Sequence, residues 1–280
     1  MHDQTRAEGT ALGLLRILVA AALIAGGLSC ATEKELSPIE DAAPFNQLSA
    51  AEAAEGWILL FNGRDFTGWR VLGRRDVPPG HWIIEGGALK KLPQKEIPLQ
   101  EDGQPLVGGD LMTIDSYRDF ELSLEWKISP SGNSGIKYNV SEDMSTAHPP
   151  EHAALGFEYQ ILDDTLHPDA LVSVTHQAGA LYDLLPAEGK RLHPVGEYNT
   201  ARIIYRGGHG EHWLNGIKVL EYDLGTPEME KAVAESKYAR IPGFAEKRDG
   251  HIVLQDHTDA AWFRNIKLRI LEPRPDSPNP

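Results

Sequence analysis

The chain has 280 residues, of which 41% are hydrophobic and 24% charged; this is enough apolar material for one large folded domain and excludes disorder over most of the length. Its 27 Lys and Arg against 41 Asp and Glu give a net charge of -14, which repels phosphate backbones, so we expect no nucleic-acid partner. A single cysteine excludes an intrachain disulfide and a zinc cluster of the cysteine type.

The first predicted element is a secretory signal peptide over residues 1–29. Two arginines precede an uncharged, mostly apolar run at residues 17–29, which is shorter than a membrane-spanning helix and has the layout of a cleaved leader. Ser29 stands directly before Cys30, an arrangement that resembles the lipidation sites of bacterial lipoproteins. We therefore predict a protein of the bacterial cell envelope that meets the membrane only through a lipid on Cys30, with simple secretion as the alternative.

A linker, one domain and a tail are predicted after the signal peptide. Residues 30–54 show no sustained periodicity and are expected to tether the lipid anchor to the folded part. The pattern of the domain runs over residues 55–272. Residues 273–280 include four prolines and are predicted to be a disordered tail.

The domain is predicted to be an all-β sandwich of the jelly-roll type with one short helix. Asn215-Gly216 between two apolar runs predicts a hairpin with a type I′ turn. The helix is predicted over Thr226 to Ser236, where Thr226 caps and Pro227 suits the first position. The predicted strands are short and rich in aromatic and β-branched residues: 57–61, 81–85, 120–128, 135–140, 156–162, 201–205 and 252–254.

Alternation along these strands assigns each residue to a face. Apolar residues at every second position of 120–128 face the core, so Glu125 points away from it. The polar side chains that alternation turns outward on other strands are Lys137, Asn139, Glu158, Gln160, Gln255 and His257, with Val140 inward. Each alone is typical of a half-exposed sheet; together they indicate a sugar-binding face.

An ordered set of motifs runs from residue 56 to 271. They include the segments 60–69, 132–136, 156–163, 179–183, 196–199, 213–216, 236–237, 250–257 and 263–266. In this set the sequence resembles the 3-keto-disaccharide hydrolase family. The resemblance implies a concanavalin A-like jelly roll and the cleavage of glycosides whose sugar carries a ketone at carbon 3.

Such a substrate permits chemistry without a cofactor. The ketone acidifies the hydrogen on carbon 2, so a base removes it, a donor holds the enolate, and the group on carbon 1 leaves before water adds. The candidate roles are base for Glu158 or His257, oxyanion stabilisation for Lys137, Asn139 or Gln160, and orientation or protonation for Glu125.

Other residues are expected to bind the substrate or an ion. No cofactor is evident, and no spacing matches a strong metal motif, although a divalent ion on Glu158, His257 and Asp163 is an alternative Lewis acid. An oxidoreductase that makes the keto sugar is a possible partner. The expected substrate-binding residues are Asn139, Gln160, Asp163, His176, Gln255 and Asp256.

Two other functions stay open from the sequence. Glu158 to Asp163 is similar to the acidic signature of laminarinase-type retaining glycosidases, but Gln160 replaces the middle acid, and that chemistry needs two carboxyl groups about 5 Å apart. A carbohydrate-binding module without catalysis is the non-enzymatic alternative, with Trp69, Trp82 or Trp213 stacking on sugar rings.

Overall fold

The computed structural model describes residues 45–148 and 153–274. Thirteen strands lie in this part of the chain: β1 (Trp57–Leu59), β2 (Trp69–Val71), β3 (Trp82–Glu85), β4 (Ala88–Lys91), β5 (Leu111–Thr113), β6 (Phe120–Ile128), β7 (Asn133–Val140), β8 (Phe157–Leu162), β9 (Asn199–Arg206), β10 (His209–Leu214), β11 (Ile217–Asp223), β12 (His251–Leu254) and β13 (Ala261–Ile270).

The strands form two antiparallel sheets. The eight-stranded sheet has the order β11-β10-β9-β6-β13-β4-β3, with β1 also pairing with β13, and the five-stranded sheet has the order β2-β5-β12-β7-β8. The two sheets pack around one apolar core, to which β6 contributes its alternate residues and β7, β8 and β12 contribute theirs. The predicted all-β sandwich is confirmed.

Three short α-helices accompany the sheets: α1 (Ala50–Ala54), α2 (Glu142–Ala147) and α3 (Pro227–Glu235). The predicted helix corresponds to α3, whose N-cap Thr226 accepts a hydrogen bond from the backbone of Met229. The hairpin prediction is also confirmed, since Asn215 (φ 49°) and Gly216 (φ 79°) both have the positive φ that a type I′ turn requires. Helices α1 and α2 were not predicted; at 5 and 6 residues they are too short to show a helical period.

The folded part begins earlier than residue 55. Asn46 and Asn265 exchange hydrogen bonds between backbone N–H and side-chain oxygen, and the Asn46 amide donates to the carbonyl of Gly87. Helix α1 is then tied to β13 by the ion pair between Glu52 and Lys267 at 2.7 Å. The last ten residues of the predicted linker therefore belong to the domain.

A bulge in β7 reverses two face assignments. Val140 lies opposite His251 while Lys137 lies opposite Val253, so β7 holds one extra residue at this point. Asn139 takes φ 52° there, and its buried side chain lies beside Tyr205 of the core. Val140 instead packs with Val253 on the outer side of the sheet. The prediction that Asn139 points outward and Val140 inward is wrong because the bulge shifts the alternation by one residue.

The predicted signal peptide, Cys30 and all but two residues of the predicted tail lie outside the described residues. Within the described ranges, none of the helices has the length and apolar character needed to cross a lipid bilayer.

Candidate active site

The outer face of the five-stranded sheet carries a pair of buried, oppositely charged side chains. Lys137 on β7 and Glu158 on β8 lie directly opposite each other in the strand register. Their neighbours Ile136, Tyr138 and Tyr159 face the core, so both charged side chains point outward. They are nevertheless buried, Glu158 being only 4% exposed, because loops cover this face. We call the outer face that includes Asp110, Lys137, Glu158 and Gln160 the site face.

Lys137 is held by a carboxylate from the loop before β5. Its ammonium lies 3.0 Å from Asp110 Oδ2, and Asp110 also accepts hydrogen bonds from the backbones of Ala154 and Asp256. Burial alone would lower the pKa of Lys137, but the charges of Asp110 and Glu158 outweigh it and raise that pKa. Lys137 is therefore a fixed positive charge beside Glu158.

Glu158 is the buried carboxyl of the site face that has no salt bridge in the described part of the chain. Burial raises its pKa, which the charges of Lys137 and Lys237 counteract only in part. Lys137 pairs with Asp110 rather than with Glu158, so the Glu158 carboxyl has no ion pair within the described ranges. When the Gln160 amide is turned with its nitrogen toward Glu158, it donates to Glu158 Oε1 at 3.2 Å. A raised pKa in a sheltered site is typical of an acid–base residue.

A glycine on the neighbouring strand makes room for this carboxyl. Gly135 on β7 lies opposite Gln160, and a Cβ atom at Gly135 would stand 2.2 Å from Glu158 Oε1. Any other residue at this position therefore displaces the Glu158 carboxyl. The glycine lies within the motif at 132–136.

A second lysine approaches Glu158 from the segment after α3. The Lys237 ammonium lies 4.1 Å from the ring centroid of Tyr182 and 4.9 Å from that of Tyr238, and its backbone N–H donates to Asp183. The residue as a whole is exposed, but its ammonium is partly removed from water, and this lowers the pKa of Lys237. The negative charge of Glu158 acts in the opposite direction and is outweighed. Lys237 is thus a cation that gives up a proton more readily than an ordinary lysine.

His176 supports Tyr182 rather than presenting a free imidazole. Its two ring nitrogens lie 2.9 Å from Asp169 Oδ1 and 3.1 Å from Asp183 Oδ1. The ring stacks on Tyr182 with centroids 4.5 Å apart, and the Tyr182 hydroxyl donates to Asp169. The predicted substrate-binding role of His176 is replaced by an indirect one, in which it positions the ring under Lys237.

His257 lies on the same face and is half-buried. Burial lowers its pKa, and the charges of His167, Lys137 and Lys91 act in the same direction against Asp259. The imidazole is therefore neutral near pH 7 and able to accept a proton. Its ring centroid is 6.4 Å from that of His167.

Asp256 has partners that fix it within the protein. One of its oxygens accepts from His81 Nδ1 at 2.7 Å and from the backbone of Gly109 at 2.9 Å, and the other lies 3.0 Å from the Lys91 ammonium. Burial alone would lower the pKa of His81. The hydrogen bond to Asp256 and the charge of Asp256 outweigh burial, so the pKa of His81 is raised. Both oxygens of Asp256 therefore have partners within the protein, and its predicted contact with substrate stays a prediction.

Two further predicted residues have separate positions. Asp163 accepts hydrogen bonds from the backbones of Ser131, Thr165 and Leu166, so it caps the loop after β8. Gln255 is half-buried next to β7, where its backbone donates to Gly135, and its side-chain oxygen is buried without a partner in the described part of the chain. Gln255 thus keeps a free acceptor.

Glu125 lies on the other side of the molecule. It is on β6 of the eight-stranded sheet and points away from the core, where it pairs with Arg264 at 2.7 Å. The prediction that Glu125 acts with Glu158 is wrong, because alternation shows that a residue faces outward but not on which sheet it does so. We call the outer face of the eight-stranded sheet, which includes Glu121, Glu125, Arg202 and Arg264, the paired face.

The suggested metal ligands do not form a set. Within the described ranges the group of His, Asp and Glu side chains close enough to share one ion is His209, Glu211 and Glu221 on the paired face. Glu158, His257 and Asp163 do not form such a group, and Asp163 is occupied by backbone donors.

The sequence analysis missed three residues of the site. Asp110 lies in a loop before a strand of only three residues, where no period marks it. Tyr182 and Lys237 also lie outside the strands, but each falls in a quoted motif, at 179–183 and 236–237. Membership of these motifs is the signal in the sequence that marks Tyr182 and Lys237.

Comparisons with known proteins identify relatives of this chain. Residues 56–269 match the family model of the 3-keto-alpha-glucoside-1,2-lyase-like domain. A 3-keto-disaccharide hydrolase of Bacteroides thetaiotaomicron is 36% identical over 249 residues, which are 82% of this chain and 84% of that protein.

Crystal structures with the same fold come from Parabacteroides distasonis. One proposed glycosyl hydrolase of that organism is 30% identical, with a TM-score of 0.70 over 82% of this chain and 100% of the other. A second is 27% identical, with a TM-score of 0.58 over 77% and 99% of the two chains.

Proposed function

Because this chain belongs to the family of 3-keto-alpha-glucoside-1,2-lyase-like domains, we propose that it is an enzyme that cleaves 3-keto-glycosides, including 3-keto-disaccharides. The observation that carries the proposal is Glu158, a buried carboxyl with a raised pKa, opposite the fixed charge of Lys137. A base beside fixed cations is what carbonyl-assisted elimination requires.

In the first step Glu158 takes the proton from carbon 2 of the sugar. The electron pair of the C2–H bond moves into a C2–C3 double bond, and the ketone oxygen becomes an enolate. A carboxylate with a raised pKa is a stronger base than an ordinary one, which suits removal of a weakly acidic hydrogen. His257, which is neutral near pH 7, is the alternative base.

Two lysines stabilise the enolate. Lys137 contributes a positive charge that Asp110 holds in place, and Lys237 contributes an ammonium whose charge also acts on Glu158. Because loops shelter the face from water, each charge acts over a low local dielectric. Lys237, whose pKa is lowered, also suits proton donation.

In the second step the ketone re-forms and the C1–O bond breaks. The departing oxygen takes a proton, and the product is a 3-keto sugar with a C1–C2 double bond. Addition of water across that bond, with the hydroxyl on carbon 1 and the proton on carbon 2, completes a net hydrolysis. Release before water adds gives a lyase, so the same residues serve both outcomes.

The test measures product release by the purified protein from trehalose and from 3-keto-trehalose. We expect glucose release from the keto sugar only, and Glu158→Gln to reduce kcat by about 10² to 10⁴. Glu125→Gln is the matched control, because it makes the same change on the paired face and should keep full activity. Cleavage of trehalose itself would contradict the proposal and favour a glycosidase.

Two further arms separate the alternatives. Loss of activity in EDTA, restored by a divalent ion, would move enolate stabilisation from the lysines to a metal. Binding of both sugars without turnover would instead indicate a carbohydrate-binding module.

We also propose that the protein is a lipoprotein of the cell envelope and that an oxidoreductase supplies its keto sugar. The leader and Cys30 support the first proposal, and the oxidation state of the substrate supports the second. Labelling with a radioactive fatty acid tests the anchor: Cys30→Ala should abolish the label, and label retained by that variant would contradict it.

A further inference from the structure

The loop that borders the site displays an unusual run of exposed aliphatic side chains. Four of them lie within nine residues: Leu166 is 62% exposed, Leu171 82%, Val172 71% and Val174 61%. Single exposed aliphatic residues are ordinary on a protein surface, but a contiguous group marks a binding surface. We call these four residues the apolar rim.

The apolar rim is continuous with the site. It follows β8, the edge strand that carries Glu158, and its segment contributes Asp169, which accepts from the Tyr182 hydroxyl at 3.0 Å. The same segment contributes His167, whose ring lies 6.4 Å from that of His257. The loop therefore extends along the site from His257 to the ring beneath Lys237.

The loop holds its aliphatic side chains in place. Asp163 caps its start through the backbones of Thr165 and Leu166, and Ser173 caps the turn at Thr175. Near its end the Asp164 carboxylate accepts from the backbone of Ala178 and pairs with Lys190. A surface that is already ordered binds an apolar group without a large loss of conformational entropy.

We propose that the apolar rim binds the aglycone, and that the preferred substrates are 3-keto-glucosides with neutral, apolar aglycones. This inference rests on the proposed function. The charge within the rim agrees with it, since Asp169 lies between Leu166 and Leu171 and would repel an anionic leaving group.

The experiment compares methyl and n-hexyl 3-keto-α-glucosides. Both release a primary alcohol of similar acidity, so a difference in kcat/KM reports contact with the alkyl chain rather than leaving-group chemistry. We expect a preference for the hexyl compound of about tenfold, the effect of covering roughly two methylene groups. In Leu171→Ser/Val172→Ser this preference should fall to near unity while kcat/KM for the methyl compound is unchanged.

Ile270→Ser is the matched control, because this aliphatic residue is also largely exposed, at 62%, but lies at the end of β13 in the other sheet. Equal rates on the two compounds in the unmodified protein, or a preference that survives the double substitution, would overturn the proposal. A concentration-dependent dimer formed by the unmodified protein and by Ile270→Ser, but not by the double variant, would also overturn it, because the rim would then contact a second copy. Failure to cleave even the methyl compound would refute the proposed function itself.

Discussion

The outer faces of the two sheets carry similar charged residues but differ in how these residues are paired. On the paired face, Glu121 contacts both Arg202 and Arg269, and Glu125 pairs with Arg264. On the site face, Lys137 pairs with Asp110 and leaves Glu158 unpaired in the described part of the chain. Loops cover the site face, and burial raises the pKa of Glu158. Glu121 is as buried as Glu158, so the two faces differ in the pairing of their buried carboxyl groups within the described ranges.

The largest expected effect comes from removing the partner of a buried charge. Asp110→Ala leaves the Lys137 ammonium buried without its carboxylate, which should lower the free energy of unfolding by about 3–5 kcal/mol. Glu125→Ala removes half of a partly exposed pair and should cost about 0–1 kcal/mol. Urea denaturation of both variants measures this; equal losses would show that the two faces do not differ in burial.

A glycine substitution separates catalysis from stability. Gly135→Ala places a methyl group 2.2 Å from Glu158 Oε1, and the displaced carboxyl should reduce kcat by about 10²-fold. Gly210→Ala makes an equally close contact with the ring of Tyr222 in the eight-stranded sheet. It should lower the melting temperature but leave kcat unchanged. A similar fall in kcat for both would mean that general destabilisation explains the first result.

The pH dependence of activity tests the coupling between Lys137 and Glu158. The base must be deprotonated, so kcat/KM falls on the acid side through the pKa of Glu158. Because the charge of Lys137 lowers that pKa, Lys137→Met should move the acid limb to higher pH. Arg264→Met, on the paired face, should leave it in place. An unmoved limb in Lys137→Met would assign the limb to another group.

The smallest expected effect concerns His81. Its pKa in the folded protein lies above the ordinary value of 6.5, through Asp256. The stability that the charged His81 gives to the folded protein is therefore fully present below about pH 6.5 and is lost as the pH rises through the folded-state pKa of His81. His81→Gln should cost about 1 kcal/mol at pH 5.5 and less at pH 8.5. Melting curves at the two pH values measure it, and a constant difference would contradict the assignment.

The sequence predicts the strands that contribute to the core better than the site. Alternation on β6 and the hairpin at Asn215-Gly216 are local patterns, and both are confirmed. The bulge at Asn139 and the sheet to which Glu125 belongs depend on strand partners, which no local pattern records. The outward positions of Glu158 and Lys137 could be predicted because Glu158 lies on a regular strand and Lys137 precedes the bulge of β7.

The loop residues of the site could not be predicted in the same way. Asp110 and Lys237 reach the site face only through tertiary packing of irregular segments. The structure shows their positions, because the register of β7 with β8 places Lys137 opposite Glu158 and the loops lie over this pair.

The described part of the chain begins on the face of the sandwich opposite the site face. Phe45, the first described residue, lies against Arg264 on the paired face, with its ring centroid 4.7 Å from the guanidinium carbon. The chain therefore enters the sandwich on the side opposite Glu158. A dye or a tether attached at Phe45 itself would therefore lie on the face away from Glu158 and would not cover the site face.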